Sequence, residues 1–225
     1  MPIVTVRERP RRLDPWPVQS GMAPSFWIET IPDEAATGRL RTLYDRIRGP
    51  GGAIDNIMRV HGLRPHTMEG HLALYKATLH HARNRLPRWL LETVGVYVSA
   101  LNGCGYCVEH HAAGLDRLLG DPERGRAIRE ALERDRPADA FDGRELAILG
   151  YARALTVAPA EVDETRIEAM RDADLTDGEI LEVNQVVAYF AYANRTVLGL
   201  GVTTEGDTLG LSPNAAEDPA DWGHR

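Results

Sequence analysis

The sequence predicts an all-α protein, and three observations lead to this class. Apolar residues recur at helical spacing along the chain, for example at Leu72, Tyr75 and Leu79. No stretch shows the period-two alternation of a half-buried strand. Segments 86–101 and 177–198 are largely apolar, which indicates two buried helices and hints at two similar helical halves. The valines of the first segment would also suit a buried strand, but its length favours a helix.

Turn and capping residues set the order of the predicted helices. We expect helices over 34–48, 54–62, 65–83, 86–101, 104–119, 143–156, 160–172 and 177–198. Asp142 with Glu145, and Thr176 with Glu179, match the capping box, in which the first side chain accepts from a free backbone N–H and the Glu returns a bond. These two pairs predict where the sixth and eighth helices begin.

The ends of the chain differ in character from its centre. Residues 1–25 contain five prolines and are expected to form an extended arm. Residues 26–203 would form a single helical domain, and residues 204–225 a tail that is disordered or laid on a partner. Three tryptophans lie in or beside these ends: Trp16, Trp27 and Trp222. Because indole rings favour burial, we expect both ends to pack on a neighbouring subunit.

Composition and charge disfavour several classes of protein. The chain has 225 residues, a net charge of −7 and a pI near 5.6. A broad nucleic-acid surface would need clustered Lys and Arg instead. No apolar stretch reaches the roughly 20 residues that span a bilayer, and the first residues carry no apolar run of signal-peptide length. We therefore expect a cytoplasmic protein that binds neither nucleic acid nor membrane.

The two cysteines of the chain, Cys104 and Cys107, lie three residues apart. In a reducing compartment such a pair favours metal binding or redox chemistry over a structural crosslink. On one helix, Cys104, Cys107 and His111 fall at about 0°, 300° and 340°, so they share one stripe. Cys104 would lie at the helix start, where free N–H groups and the macrodipole stabilise a thiolate. Thiolate, neighbouring base and second thiol are the parts that disulfide-forming chemistry needs.

A single acidic residue, Glu92, interrupts the apolar run 88–101. A carboxylate in a buried helix is costly unless it has a partner, and the nearest candidates in the sequence are a His or a thiol of the next helix. A carboxylate that orients a His beside a nucleophile is a general catalytic arrangement. We therefore expect Glu92 to take part in a proton relay.

The spacing of these four residues resembles a family signature. Glu92, eleven residues, Cys104, two residues, Cys107, three residues and His111 look like the pattern of the alkylhydroperoxidase D family, within the carboxymuconolactone decarboxylase-like superfamily. The flanking SALNGCGYCVEHHAAGL and the later NRTVLGLGV are similar to the peroxidase-related branch of that family. The resemblance extends loosely from about residue 30 to residue 203.

This resemblance implies an all-α fold of the alkylhydroperoxidase D-like type and a thiol-dependent peroxidase. Cys107 would attack a hydroperoxide and become a sulfenic acid, Cys104 would resolve it to a disulfide, and His111 with Glu92 would relay the proton. A lipoyl- or thioredoxin-type dithiol would then restore the pair, and no cofactor or metal is implied. Members of the family usually form homo-oligomers, trimers or hexamers. This chain departs from the better-studied members at Tyr106, where they carry His.

Other interpretations of the same residues stay open at the level of sequence. The cysteine pair with His111 and Glu92 would also give a four-ligand zinc set. Glu92 would alternatively form a structural salt bridge with an arginine such as Arg195. A carboxymuconolactone decarboxylase-like enzyme would use His and Glu as acid and base without thiols. A redox-sensing or zinc-binding helical protein would not be an enzyme of this kind.

We expect structural roles for the other polar residues near the motif. His110 points about 100° away from the His beside it and is expected to be exposed. Tyr106 is expected to pack near the cysteines, and His71 to be a satisfied core or edge residue. Asn194 and Arg195 are expected to satisfy helix ends or a subunit contact. The remaining histidines show no metal-ligand spacing: His61, His66, His80 and His81.

Overall fold

Nine α-helices with short 3-10 turns between them form the part of the chain that this computed structural model describes, residues 26–218, 221 and 222. They are α1 (Gly38–Ile47), α2 (Asn56–Arg59), α3 (Pro65–Leu79), α4 (Arg88–Leu101), α5 (Gly105–Leu119), α6 (Pro122–Glu133), α7 (Gly143–Val157), α8 (Glu164–Asp172) and α9 (Asp177–Leu200). No strand occurs in these residues, where one isolated bridge joins His81 and Ala216. The predicted all-α class is confirmed.

Helix α4 lies at the centre of the bundle, against α5, α6, α7 and α9. Its residues Leu91, Val94 and Tyr97 are completely buried. The ring of Phe190 from α9 fills the space where a Cβ of Gly95 would sit, so the glycine permits the close crossing of the two helices. The strand alternative for this segment is therefore excluded.

Helix α9 is buried along one face only, whereas the sequence predicted a helix that is buried on all sides. The buried side includes Val186, Phe190 and Asn194, while Leu181 and Leu198 on the other side are 58% and 43% exposed. Its apolar residues outnumber those that the core can cover, so part of them faces outward. No described helix is long and apolar enough to cross a membrane.

The capping predictions have different outcomes. Thr176 and Glu179 form the complete capping box at the start of α9, as predicted. Helix α7 begins at Gly143, as predicted, but the side chain of Asp142 accepts no capping hydrogen bond, so the predicted capping box is wrong. Gly143 follows it with a φ of +46°, and a capping oxygen reaches the first free N–H groups only when helical backbone follows it directly.

Four predicted helices are shorter than expected, and one helix was not predicted. Helices α1 and α8 begin at Gly38 and Glu164 instead of 34 and 160, because separate 3-10 turns precede them. Helix α2 spans four residues, and α3 ends at Leu79 because the backbone of 80–82 pairs with Ala216 instead of continuing the helix. Helix α6 begins after Asp121, whose carboxylate accepts from two N–H groups of its first turn. The many charges of α6 leave only a narrow apolar stripe, which explains why the pattern was missed.

The segment 204–218 lies on helices of its own chain. The Nδ2 of Asn56 donates to the carbonyls of Thr203 and Glu205, and its backbone N–H donates to the carboxylate of Asp207. Gly210, with a φ of +75°, lies directly on the backbone of α5, where a Cβ would overlap it. The expectation of a disordered tail, or one laid on a partner, is therefore wrong for this segment.

Trp222 is buried in its own chain, which corrects the prediction that it packs on a neighbouring subunit. Its ring stacks on Tyr75 at 6.2 Å. The ammonium of Lys76 lies 5.8 Å from the indole and donates to the carbonyls of Asn214 and Asp221. Trp27 is 71% exposed, whereas Trp16 and the predicted arm over 1–25 lie outside the described residues.

Candidate active site

The two cysteines meet at the junction of α4 and α5. Gly103, with a φ of +71°, reverses the chain after α4, and Cys104 becomes the N-cap of α5. Cys107 follows in the first turn, which places the two Sγ atoms 3.0 Å apart. Both thiols are free and buried, with 0% of Cys104 and 2% of Cys107 exposed. The predicted helix start and the predicted closeness of the thiols are both present.

The contact between the thiols moves their pKa values in opposite directions. The pKa of Cys104 is lowered, first by the hydrogen bond from the Cys107 thiol and further by the Cys107 N–H and the Asn194 amide. The pKa of Cys107 is raised well above its usual value by the hydrogen bond to Cys104, by burial and by the Cys104 charge. In the reduced pair, the anion therefore forms first on Cys104, and Cys107 must lose its proton before it can act as a nucleophile.

Glu92 and His111 form a close pair across α4 and α5. The Oε2 of Glu92 lies 2.6 Å from Nδ1 of His111, and their side chains are 4% and 14% exposed. The ring of Phe190 meets the imidazole edge-on at 4.6 Å. Because Glu92 occupies Nδ1, Nε2 is the nitrogen left to exchange a proton. The alternative with Arg195 is wrong, since that exposed guanidinium donates to the carbonyl of Ala191.

A cavity of about 70 Å³ lies beside this pair. Cys107, His111 and Glu92 line one side of it, whereas Cys104 lies behind Cys107 and does not reach it. Aromatic side chains line much of the rest: Tyr75, Tyr106, Tyr189 and Trp222. One water needs at least about 10 to 15 Å³ on this measure, so the cavity holds a small molecule of a few atoms. A substrate in it would meet Cys107 first.

Asp207 ties the C-terminal segment to the rim of this cavity. Its Oδ2 accepts from the hydroxyl of Tyr106 at 2.7 Å and lies 3.2 Å from Nε2 of His110. Tyr106 in turn accepts from the N–H of Ile57, and its pKa is raised by burial and by the charges of Asp55 and Asp207. His110 is buried, so the prediction of exposure is wrong. The face of α5 that carries it is covered by the C-terminal segment instead of solvent.

Asn194 contacts the dithiol, which the sequence analysis did not foresee. Its amide is completely buried, donates to the hydroxyl of Ser99 and accepts from Asn102. It also lies within hydrogen-bonding range of both thiols and favours their charged forms. The amide that ends the apolar run 186–194 was the available signal, since buried polar groups need partners.

His71 is a satisfied core residue, as predicted, with partners on both ring nitrogens. In the described part of the chain, no group of three or more His, Cys, Asp or Glu side chains is arranged to hold a metal ion. The zinc set considered from the sequence therefore has no counterpart among these residues.

Fold and site together define an all-α protein with a buried Cys-x-x-Cys dithiol beside a His–Glu pair. No family model and no curated protein matches the sequence. Among solved structures, the chain is similar to an uncharacterised peroxidase-related protein from Ralstonia eutropha, described as an alkylhydroperoxidase AhpD core. The two are 23% identical with a TM-score of 0.71, over 80% of this chain and 93% of that protein.

Two further structures share the fold. An uncharacterised peroxidase-related protein from Silicibacter sp. is 23% identical with a TM-score of 0.69, over 81% of this chain and 95% of the other. The debrominase Bmp8, as a variant in complex with 2,3,4-tribromopyrrole, is 19% identical with a TM-score of 0.58, over 75% and 84%. The chain therefore has the AhpD-like fold, as its sequence resemblance implied.

Proposed function

We propose that this protein is a thiol-dependent peroxidase that reduces small hydroperoxides through Cys107 and Cys104. The proposal rests on the way in which the reactive side chains are grouped at one cavity. Cys107 faces the cavity, Cys104 lies 3.0 Å behind it, and the His111–Glu92 pair lines the same cavity. Nucleophile, resolving thiol and proton acceptor are thus present in one place.

The first step oxidises Cys107. Nε2 of His111 takes the thiol proton, and Glu92 stabilises the imidazolium that forms. The sulfur electron pair forms an S–O bond with the terminal oxygen of the hydroperoxide while the O–O bond breaks. The departing alkoxide takes the proton from His111, so the products are an alcohol and a Cys107 sulfenic acid.

The second step uses Cys104. After Cys107 is oxidised, the Cys107 N–H and the Asn194 amide, which both lower the pKa of Cys104, still stabilise its thiolate. It attacks the sulfenic sulfur, an S–S bond forms and water leaves with the sulfenic oxygen. The two sulfurs need to approach by about 1 Å to reach bonding distance. An external dithiol of the lipoyl or thioredoxin type then reduces the disulfide and completes the cycle.

The test of this proposal is turnover of ethyl hydroperoxide with dihydrolipoamide or reduced thioredoxin as electron donor. Cys107→Ser should abolish consumption, whereas Cys104→Ser, assayed without the dithiol, should consume one equivalent per chain and stop. A Cys107→Ser protein that turns over at the wild-type rate would refute the proposal. Comparison of the two donors identifies the class of reductant.

The outward face of α9 supports a homo-oligomer, which we propose to be a trimer or hexamer. Leu181, Tyr192 and Leu198 are exposed apolar residues on one long helix. Light scattering of the full chain measures the assembly, and a monomer at micromolar concentration would contradict it.

A second candidate function is reductive dehalogenation of a small aromatic ring, favoured by the aromatic lining of the cavity. The two thiols would give up two electrons and become a disulfide, a C–Br bond would be replaced by C–H, and bromide would leave. Release of bromide from 2,3,4-tribromopyrrole by the reduced protein tests this candidate. Disulfide formation with a hydroperoxide but no bromide release would exclude it.

A further inference from the structure

A string of hydrogen bonds leads from the first turn of α3 to the wall of the cavity that Cys107 also lines. Oγ1 of Thr67 lies 2.8 Å from Nδ1 of His61, and Nε2 of His61 lies 3.2 Å from Nδ1 of His71. Nε2 of His71 lies 3.1 Å from the hydroxyl of Tyr189. Tyr189 lines the cavity together with Cys107, yet the proposed reaction has no role for any member of this string.

The hydroxyl of Thr67, at the end of the string away from the cavity, determines which group donates in each of its hydrogen bonds. The hydroxyl of Thr67 donates to the carbonyl of Arg64 at 2.8 Å, so its oxygen accepts from Nδ1–H of His61. A neutral imidazole has one donor and one acceptor, so Nε2 of His61 accepts from Nδ1–H of His71. Nε2 of His71 then accepts from the hydroxyl of Tyr189. The Tyr189 proton is therefore engaged, and its oxygen can only accept within the cavity.

Burial keeps this direction constant. Desolvation lowers the pKa of His71 to about 3 and also lowers the pKa of His61, so both rings are neutral at physiological pH. Burial and nearby negative charge raise the pKa of Tyr189 well above its usual value, so its hydroxyl keeps its proton. The members of the string are therefore uncharged at neutral pH.

We propose that Tyr189 is a catalytic residue whose oxygen accepts a hydrogen bond from the O–H of the hydroperoxide and holds the terminal oxygen against Cys107. His71 is the positioning residue, since it engages the Tyr189 proton. The inference rests on the proposed peroxidase function and deepens it: the site selects peroxides that carry a terminal O–H. That proton stays on the terminal oxygen and ends on the sulfenic acid, so Tyr189 neither gains nor loses a proton.

The experiment compares two reactions of Cys107 in a Cys104→Ser background. One is oxidation by ethyl hydroperoxide, which has an O–H, and the other is alkylation by iodoacetamide, which has none. Tyr189→Phe should slow the oxidation about tenfold, the value of one hydrogen bond, and leave alkylation unchanged. Tyr97→Phe is the matched control, because its buried hydroxyl donates to Asp135 outside the cavity. That control should leave both rates unchanged.

Variants of His71 test the positioning role separately. His71→Gln keeps an acceptor for the Tyr189 proton and should retain most of the oxidation rate, whereas His71→Leu removes the acceptor and should lose as much as Tyr189→Phe. A purely structural role predicts the reverse order, since Leu suits a buried site better. If Tyr189→Phe does not fold, as shown by the loss of a cooperative unfolding transition, the two His71 variants still test whether the engaged Tyr189 proton matters for oxidation.

The outcomes distinguish a failure of the proposed peroxidase function from a failure of the proposed role of Tyr189. If the Cys104→Ser protein does not react with ethyl hydroperoxide while iodoacetamide still labels it, the proposed function fails and the inference fails with it. If it reacts, and Tyr189→Phe oxidises at the same rate or loses alkylation in parallel, only the inference is overturned.

Discussion

The two sides of the cavity are built in different ways. The dithiol wall consists of Glu92, Cys107 and His111 on the adjacent helices α4 and α5, with Cys104 directly behind Cys107. The covering wall consists of Tyr75 from α3, Tyr189 from α9 and Trp222, and Asp207 of the C-terminal segment binds its rim through Tyr106 and His110. The dithiol wall holds the reacting groups within twenty residues of sequence. The covering wall brings together parts of the chain that are far apart, and it sets what enters and how it is oriented.

The forces that hold the two walls also differ. The dithiol wall rests on two complete helices packed at the centre of the core. The C-terminal part of the covering wall depends on a few long-range hydrogen bonds, chiefly those to the carboxylate of Asp207 and from the ammonium of Lys76. Substitutions in the dithiol wall should therefore change chemistry at nearly constant stability, whereas substitutions that remove these hydrogen bonds should change stability and access.

The largest effect is expected at Glu92. Glu92→Gln keeps the shape of the side chain but removes the charge that stabilises the imidazolium of His111, so peroxide reduction should slow by about a hundredfold. Stopped-flow oxidation of Cys107 measures the rate. Glu182→Gln is the matched control, because that carboxylate holds the N–H groups of Arg85 and Leu86 outside the cavity. Equal rates for the two variants would contradict the proton relay.

Asp207→Ala should show the opposite profile. It leaves the buried hydroxyl of Tyr106, the N–H of Asn56 and the ring of His110 without their acceptor, which should cost about 3 kcal/mol of unfolding free energy. Urea unfolding measures this loss, and hydrogen exchange should rise over 204–213. Unchanged exchange there would show that the segment is held by other contacts.

Gly95→Ala should destabilise the protein by about 2 kcal/mol, because the new methyl group overlaps the ring of Phe190. The displaced ring also supports His111, so peroxide reduction should slow as well. Gly70→Ala is the matched control, since a Cβ there meets nothing within 4 Å. Thermal unfolding of both variants decides whether the crossing of α4 and α9 is as tight as described.

The effect that is smallest at neutral pH concerns His71, because it appears only in acid. The pKa of His71 is about 3 in the folded chain and about 6.5 when unfolded. As pH falls through that interval, the unfolded chain binds the proton first, so the free energy of unfolding decreases by up to about 1.4 kcal/mol per pH unit. The contribution of His71 to the free energy of unfolding is therefore fully present above about pH 6.5. His71→Gln should make this free energy less dependent on pH below that value. An identical slope for wild type and variant would mean that His71 is already charged in the folded state.

The dithiol wall could be predicted from the sequence because its geometry is local. Helical periodicity converts the spacing of Cys104, Cys107 and His111 into a shared stripe, and the preceding helix supplies Glu92. Nothing periodic connects Tyr189 or Asp207 to the cysteines, since their positions depend on how α9 and the C-terminal segment fold back. The exposure of His110 was wrongly predicted for the same reason, because the face of α5 beside the motif is covered by a segment that was expected to leave the domain.

The most direct test of the account is the mass of the intact, reduced chain after one equivalent of ethyl hydroperoxide, with remaining thiols alkylated. We expect the wild type to lose two hydrogens and take up no alkylating reagent, which indicates a Cys104–Cys107 disulfide. Cys104→Ser should gain one oxygen on Cys107, and Cys107→Ser should keep an alkylatable, unoxidised Cys104. Two alkylated thiols in the wild type, or oxidation of Cys104 at full rate in Cys107→Ser, would contradict the assignment of Cys107 as the peroxide-reducing residue.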